Sequence, residues 1–150
     1  MTSLQYWAGV VILVIATAAP AQAQQPSAAG RIKVVSGSAF IVRESQLVPA
    51  SVGQDVYASD GLRTGADGRI GITLKDDTRI SLGPSSEVRL ERFNYAAADG
   101  SLGLVLKIVR GVAAYVSGRI AKLSPDSVRL ETPTAIVGVR GTSLAIRVEP

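Results

Sequence analysis

Apolar and polar residues alternate with a period of two along most of this chain, in short runs separated by glycine, proline, aspartate and serine. Ile32 and Val34 alternate, Ser36-Gly37-Ser38 turns, and Phe40 and Val42 alternate again, a pattern that predicts a hairpin. Glu44–Ser51 supplies polar turn residues. Asp60-Gly61 and Gly65 to Gly68 are glycine turns so close together that they enclose a strand of only a few residues. Ile70, Ile72 and Leu74 share one face, Asp76-Asp77 turns, and Ile80 and Leu82 return. Beyond Gly83-Pro84-Ser85-Ser86, Val88 and Leu90 face away from Glu87, Arg89 and Glu91.

Phe93–Ser101 breaks the rhythm, as a longer loop or as one helical turn at Ala96-Ala97-Ala98. Leu102, Leu104, Leu106 and Ile108 restore strict alternation, and Arg110-Gly111 is read as a turn into Val112, Ala114 and Val116. Ser117–Asp126 is a polar connection. In Glu131–Pro150, an apolar run and a second run of Leu144, Ile146 and Val148 flank a turn at Val139-Arg140-Gly141-Thr142. No helical period persists over three turns, and turns recur roughly every ten residues, the rhythm of a sandwich, barrel or solenoid. The prediction is an all-β domain.

The first thirty residues carry a different pattern. An apolar stretch from Trp7 to Ala19 leads to Pro20 and Ala21-Gln22-Ala23. That stretch is shorter than the roughly 20 residues needed to span a bilayer, and the A-x-A pattern predicts a signal peptide, residues 1–23, cleaved after Ala23. The segment before it has no Lys or Arg, unlike most signal peptides. Residues 24–30 read as a disordered lead-in and 31–150 as the domain, placed in the periplasm or secreted.

Composition narrows the chemistry further. The chain has no cysteine and no histidine, which excludes disulfides, Cys/His zinc sites, histidine bases and a Ser-His-Asp triad. Net charge is +4, with basic residues that look scattered along the strands and few aromatics, so nucleic-acid binding is not expected. Asp60, Asp67, Asp76, Asp77 and Asp99 sit beside turn formers, where aspartate accepts local backbone hydrogen bonds. They do not have the spacing of a calcium loop. Nothing in the sequence selects a catalytic carboxylate pair. Neither an enzyme nor a cofactor or metal is expected.

Three segments in order carry a family resemblance. GQDVYASDGLRTGADGRIGITLKDDTRISLGPSSEVRL contains a glycine-framed turn, a hairpin and a proline-serine turn; VLKIVRGVAAYVSG is a strand pair around a glycine; and ETPTAIVGVRGTSLAIRVEP carries a "TP…VRGT" ending. Together they resemble the FecR domain, named for the ferric-citrate regulator of Gram-negative bacteria, over about Val52 to Val148. Asp76-Asp77-Thr78 stands where that family usually has Asp-Gly-Ser, which suggests a wider turn.

The resemblance implies a short-stranded, β-solenoid-like unit (a compact β-sandwich is the alternative) and a place in the cell envelope. The anti-sigma segment and membrane span of the full regulator are not read here, so iron signalling is implied only weakly. A protein-interaction or scaffold module with an envelope protein as partner is therefore expected, or else a module for peptidoglycan or envelope polysaccharide. Arg140 and Thr142 in the closing turn, and Arg63 and Thr64 before Gly65, are the candidate residues. Each is either a partner contact or an internal clamp on strand ends.

Overall fold

A computed structural model describes residues 18–23, 25–140 and 143–149. Twelve strands form one curled, half-barrel sheet. In chain order they are β1 (Gly30–Ser36), β2 (Ala39–Arg43), β3 (Gln46–Pro49), β4 (Asp55–Val56), β5 (Gly61–Thr64) and β6 (Arg69–Leu74). There follow β7 (Arg79–Leu82), β8 (Glu87–Ala96), β9 (Ser101–Val116), β10 (Val128–Glu131), β11 (Ile136–Gly138) and β12 (Ser143–Val148). A five-residue helix, α1 (Arg119–Leu123), lies between β9 and β10.

The sheet is organised around β9, which has 16 residues. Up to Arg110 it pairs antiparallel with β8 on one side, and along Leu104–Lys107 parallel with β10 on the other. From Gly111 it pairs antiparallel with β12, and from Ala113 also with β7. Beyond β8 lie β5, β2 and β3; beyond β7 lie β6, β1 and β4; β11 pairs with β10. The expected all-β class and short strands are present. Every ladder except β9–β10 is antiparallel, so the sheet curls over its own core instead of stacking the parallel coils of a solenoid.

The core lies inside the curl. Ile41, Leu106, Ile108 and Leu130 from one half join Ile32, Ile70, Ile72 and Ile80 from the other in a single cluster. Full burial of each such side chain contributes about 1.5–3 kcal/mol, and β-branched residues suit the pleated surface.

Several local expectations change. β1 and β2 do not form a hairpin: β1 pairs with β4 and β6, and β2 with β3 and β5. Gly37, at φ +63 and tight against the Asp67 carbonyl, passes the chain from one half of the sheet to the other. A bulge between Ile32 and Val34 leaves Ile32 buried and Val34 57% exposed. In β2 the inward residues are Ala39 and Ile41, not Phe40 and Val42. The closing stretch is not a hairpin about the VRGT segment either, since β11 joins β10 and β12 joins β9. The β10–β11 turn falls at Thr132–Ala135, where the Thr132 hydroxyl accepts from Ala135 N at 3.0 Å. Gly141 and Thr142 lie outside the described residues. At the other end, Ala29 is buried and Gly30 belongs to β1, so the ordered sheet begins inside the expected lead-in.

Gly111 is a bulge within a continuous strand, not a turn. Its φ is +82, and a Cβ there would stand 2.3 Å from Ser86 Oγ. The register slips at the same level of β8, between Glu87 and Val88. Before it the inward residues are Leu104, Leu106 and Ile108; after it they are Ala113 and Tyr115. An inserted residue switches the face a strand buries.

Candidate functional site

The three candidates among the described residues, Arg63, Thr64 and Arg140, do not converge on one site. Arg63 projects from β5 onto Glu87 of β8, its Nε donating to Oε2 at 3.2 Å and Nη2 lying 3.1 Å from the same oxygen. Arg110 Nη2 approaches that oxygen at 3.7 Å. Glu87 is buried, and the two guanidinium groups supply the countercharge that a buried carboxylate needs. Thr64 is buried next to this cluster. Its hydroxyl donates to Gly83 O at 2.7 Å and accepts from Ser86 N at 2.9 Å, tying the end of β5 to the turn before β8. Ser86 Oγ in turn donates to Pro84 O at 3.0 Å and accepts from Val112 N at 2.9 Å, beside the Gly111 bulge. These side chains are committed to holding strands in register.

Beside this network opens a cleft of about 800 Å³, lined by Thr64, Gly65, Ser85, Arg110, Arg147 and Glu149 among others. Arg110 and Arg147 make it cationic at the rim, while Glu149 partly offsets them. Arg140 lies elsewhere, exposed at the end of the described β11–β12 connection. Among the described residues it makes no hydrogen bond or ion pair. Thr142 lies outside the described residues.

The turn aspartates are also committed. Asp60 is buried and grips Arg43 through two contacts, Nε to Oδ1 at 2.9 Å and Nη2 to Oδ2 at 2.7 Å. It also accepts from Tyr57 N at 2.8 Å. The Arg43 guanidinium lies 4.8 Å from the centre of the Tyr57 ring, and the hydrogen bond to Asp60 raises its pKa above the ordinary value. The sequence offered no local signal for this clamp, because its partners are far apart in the chain.

Asp76 is fully buried. It accepts from Thr78 N at 3.1 Å, Thr78 Oγ1 at 2.8 Å and Ile120 N at 3.2 Å, joining the β6–β7 turn to α1. Asp77 takes φ +69, the conformation a glycine would adopt in the family's usual Asp-Gly-Ser turn. Asp67 accepts from Ser38, and those hydrogen bonds hold its carboxyl below the ordinary range. Among the described residues, no group of three His, Cys, Asp or Glu side chains is placed to hold a metal ion.

Two surface features were not legible from the sequence. The first is the edge of β12, which is six residues long and among the described residues pairs only with β9. Its inward row, Leu144, Ile146 and Val148, packs against the core yet stays half-buried. The second corrects the expectation of scattered cations. Pairing sets Arg89 directly opposite Lys107, and Arg92 and Arg129 on either side of Val105.

The FecR protein family matches residues 60–150, and the chain belongs to that family, whose members are regulatory domains of envelope signalling. The match begins at Asp60, so β1 to β4 lie before it and complete the outer flanks of the sheet. No curated protein and no solved structure matched the chain.

Proposed function

We propose that this domain is an exported, non-catalytic interaction or scaffold module of the bacterial envelope, docking an envelope protein along the free edge of β12. The observation that carries the reading is that edge. No other described strand pairs with its outward backbone groups, and its apolar row is only half covered. A partner strand added there would extend the ladder through main-chain hydrogen bonds and bury more of Leu144, Ile146 and Val148. An uncovered apolar edge is otherwise an aggregation hazard. Arg140, at the approach to β12, is suited to a carboxylate on the same partner. Family membership supports a regulatory role; any link to iron belongs to the partner's identity.

The test is in-cell photo-crosslinking from Ala145 on β12, with Lys33 on β1 as the control position, followed by mass spectrometry of the envelope fraction. The expected result is one protein adduct from Ala145 and none from Lys33. A monomeric chain that yields no adduct at Ala145 would sink the reading.

A second reading rests on half-buried Tyr57, Phe93 and Tyr95. They line two shallow hollows of about 260 and 250 Å³ that meet at Ala58, a place where sugar rings would stack. A photo-crosslinker placed at Ala58 that recovers peptidoglycan fragments, with no protein adduct from Ala145, would favour it.

A further inference from the structure

Residues paired across neighbouring strands lie on one face of a sheet, with Cβ atoms about 5 Å apart. One ladder row on the outer face therefore runs Leu47, Val42, Gly61, Arg89, Lys107, Glu131, Ile136. The next runs Arg92, Val105, Arg129, Gly138. The inward neighbours Val88, Leu90, Leu104, Leu106, Val128 and Leu130 are all buried, so the two rows face outward. Four cations, Arg89, Arg92, Lys107 and Arg129, thus crowd onto three adjacent strands.

Their neutralisation is poor. Within the rows the single acid is Glu131, 3.9 Å from Arg129 Nη1. Glu91, in the bulge of β8, makes no ion pair with them among the described residues. Arg89 opposite Lys107 is a like-charge cross-strand pair, an arrangement that destabilises a sheet. The floor beneath is small: a Cβ on Gly103 would stand 3.1 Å from Arg92 Nε, so the Arg92 side chain lies across β9 over that glycine. With its side-chain amide oriented to suit both neighbours, Asn94 accepts from the same Nε at 3.0 Å. Arg92 is therefore held in place before anything binds.

We propose that this cationic band is a docking surface for the phosphate headgroups of an anionic lipid surface. Three of the four cations are arginines, whose planar fork takes phosphate oxygens two at a time. The band lies on the outer face of the curl, where a peptide finds no groove walls to grip its side chains. Laterally mobile headgroups gather beneath fixed cations without needing a groove. Ile136, 67% exposed, closes the Lys107 row and offers an aliphatic contact beside the charges. This surface is separate from the β12 edge, so a docked protein and a lipid surface are compatible.

The test is co-sedimentation of the full chain with vesicles of phosphatidylcholine alone, or of phosphatidylcholine and phosphatidylglycerol in a two-to-one ratio. The apolar stretch from Trp7 to Ala19 contributes to both vesicle types alike, so the preference for phosphatidylglycerol isolates the band. Combining Arg89→Gln, Lys107→Gln and Arg129→Gln should cut that preference on the order of a hundredfold. Circular dichroism should be unchanged and Tm equal or higher, because a like-charge pair is removed. Combining Lys33→Gln, Arg69→Gln and Arg79→Gln, an equal loss of charge on the other half of the sheet, should leave most of the preference intact. Equal losses from both variants would mean diffuse charge attraction and would overturn the proposal. So would the absence of any preference for phosphatidylglycerol. Polyglutamate bound by the wild type and lost by the first variant, without a lipid preference, would reassign the band to an acidic protein segment.

Discussion

Tyr115 brings a phenol into the core next to Thr78, Ser117 and the buried carboxylate of Asp76. Burial is the largest influence on it and pushes its pKa above the ordinary 10.0, and the Asp76 charge pushes the same way. The unfolded chain therefore releases this proton at a lower pH than the folded one. Tyr115 favours the fold fully below about pH 10, and that contribution is lost as pH rises from there through the folded-state value. Urea denaturation across this range should show stability falling above pH 10, with a shallower fall in Tyr115→Phe. Identical slopes for the two proteins would refute this account of the phenol. The same neighbourhood shows what a sequence does and does not disclose about single residues. Asp76 and Asp77 were legible as turn formers, but the contact from Asp76 to Ile120 depends on α1 folding back onto that turn. Arg63 and Thr64 stood out through their glycine turn, whereas their partners Glu87 and Ser86 become evident only once β5 lies beside β8.

Among the elements, the β6–β7 hairpin was readable because both strands alternate strictly and a short polar turn joins them. β1 and β2 carry the same signals yet part company at Gly37. A turn motif shows that the chain changes direction, and says nothing about which strand it will pair with. In β9 the glycine reads as a stop but marks a bulge, so the inward face expected from alternation is the wrong one for every residue beyond it. Helix α1 is too short to show a period. The bulge itself is open to a direct test. Gly111→Ala would force a side chain into positive φ and against Ser86 Cα, at 2.6 Å from an ideal Cβ. The expected loss is about 2–3 kcal/mol or more, seen as a lower Tm. A variant as stable as the parent would mean that the bulge relaxes without cost.

At the scale of the whole molecule, the two halves of the sheet are held as one body by β9 and the shared core. The proposed surfaces lie on different parts of that body: the β12 edge on one half, the cationic band on the other. Where the ordered body starts bears on export. Gln25, Pro26 and Ser27 are exposed, and burial begins at Ala29. Cleavage after Ala23 would therefore remove no described residue that the core needs. N-terminal sequencing of protein from the envelope fraction should read Gln24 first; recovery of Met1 would refute the cleavage site.

The placement of β9 also governs the order in which the molecule can assemble. Strands β1 to β8 precede it, and until Ser101–Val116 has been made they can form only separate patches: β4-β1-β6-β7 and β3-β2-β5-β8. Joining the patches requires closing loops between distant parts of the chain, which slows folding toward the millisecond-to-second range of β-rich domains. A chain that stays open until its central strand has emerged remains threadable through a narrow pore. It is also vulnerable throughout that interval to any protease or stray strand it meets.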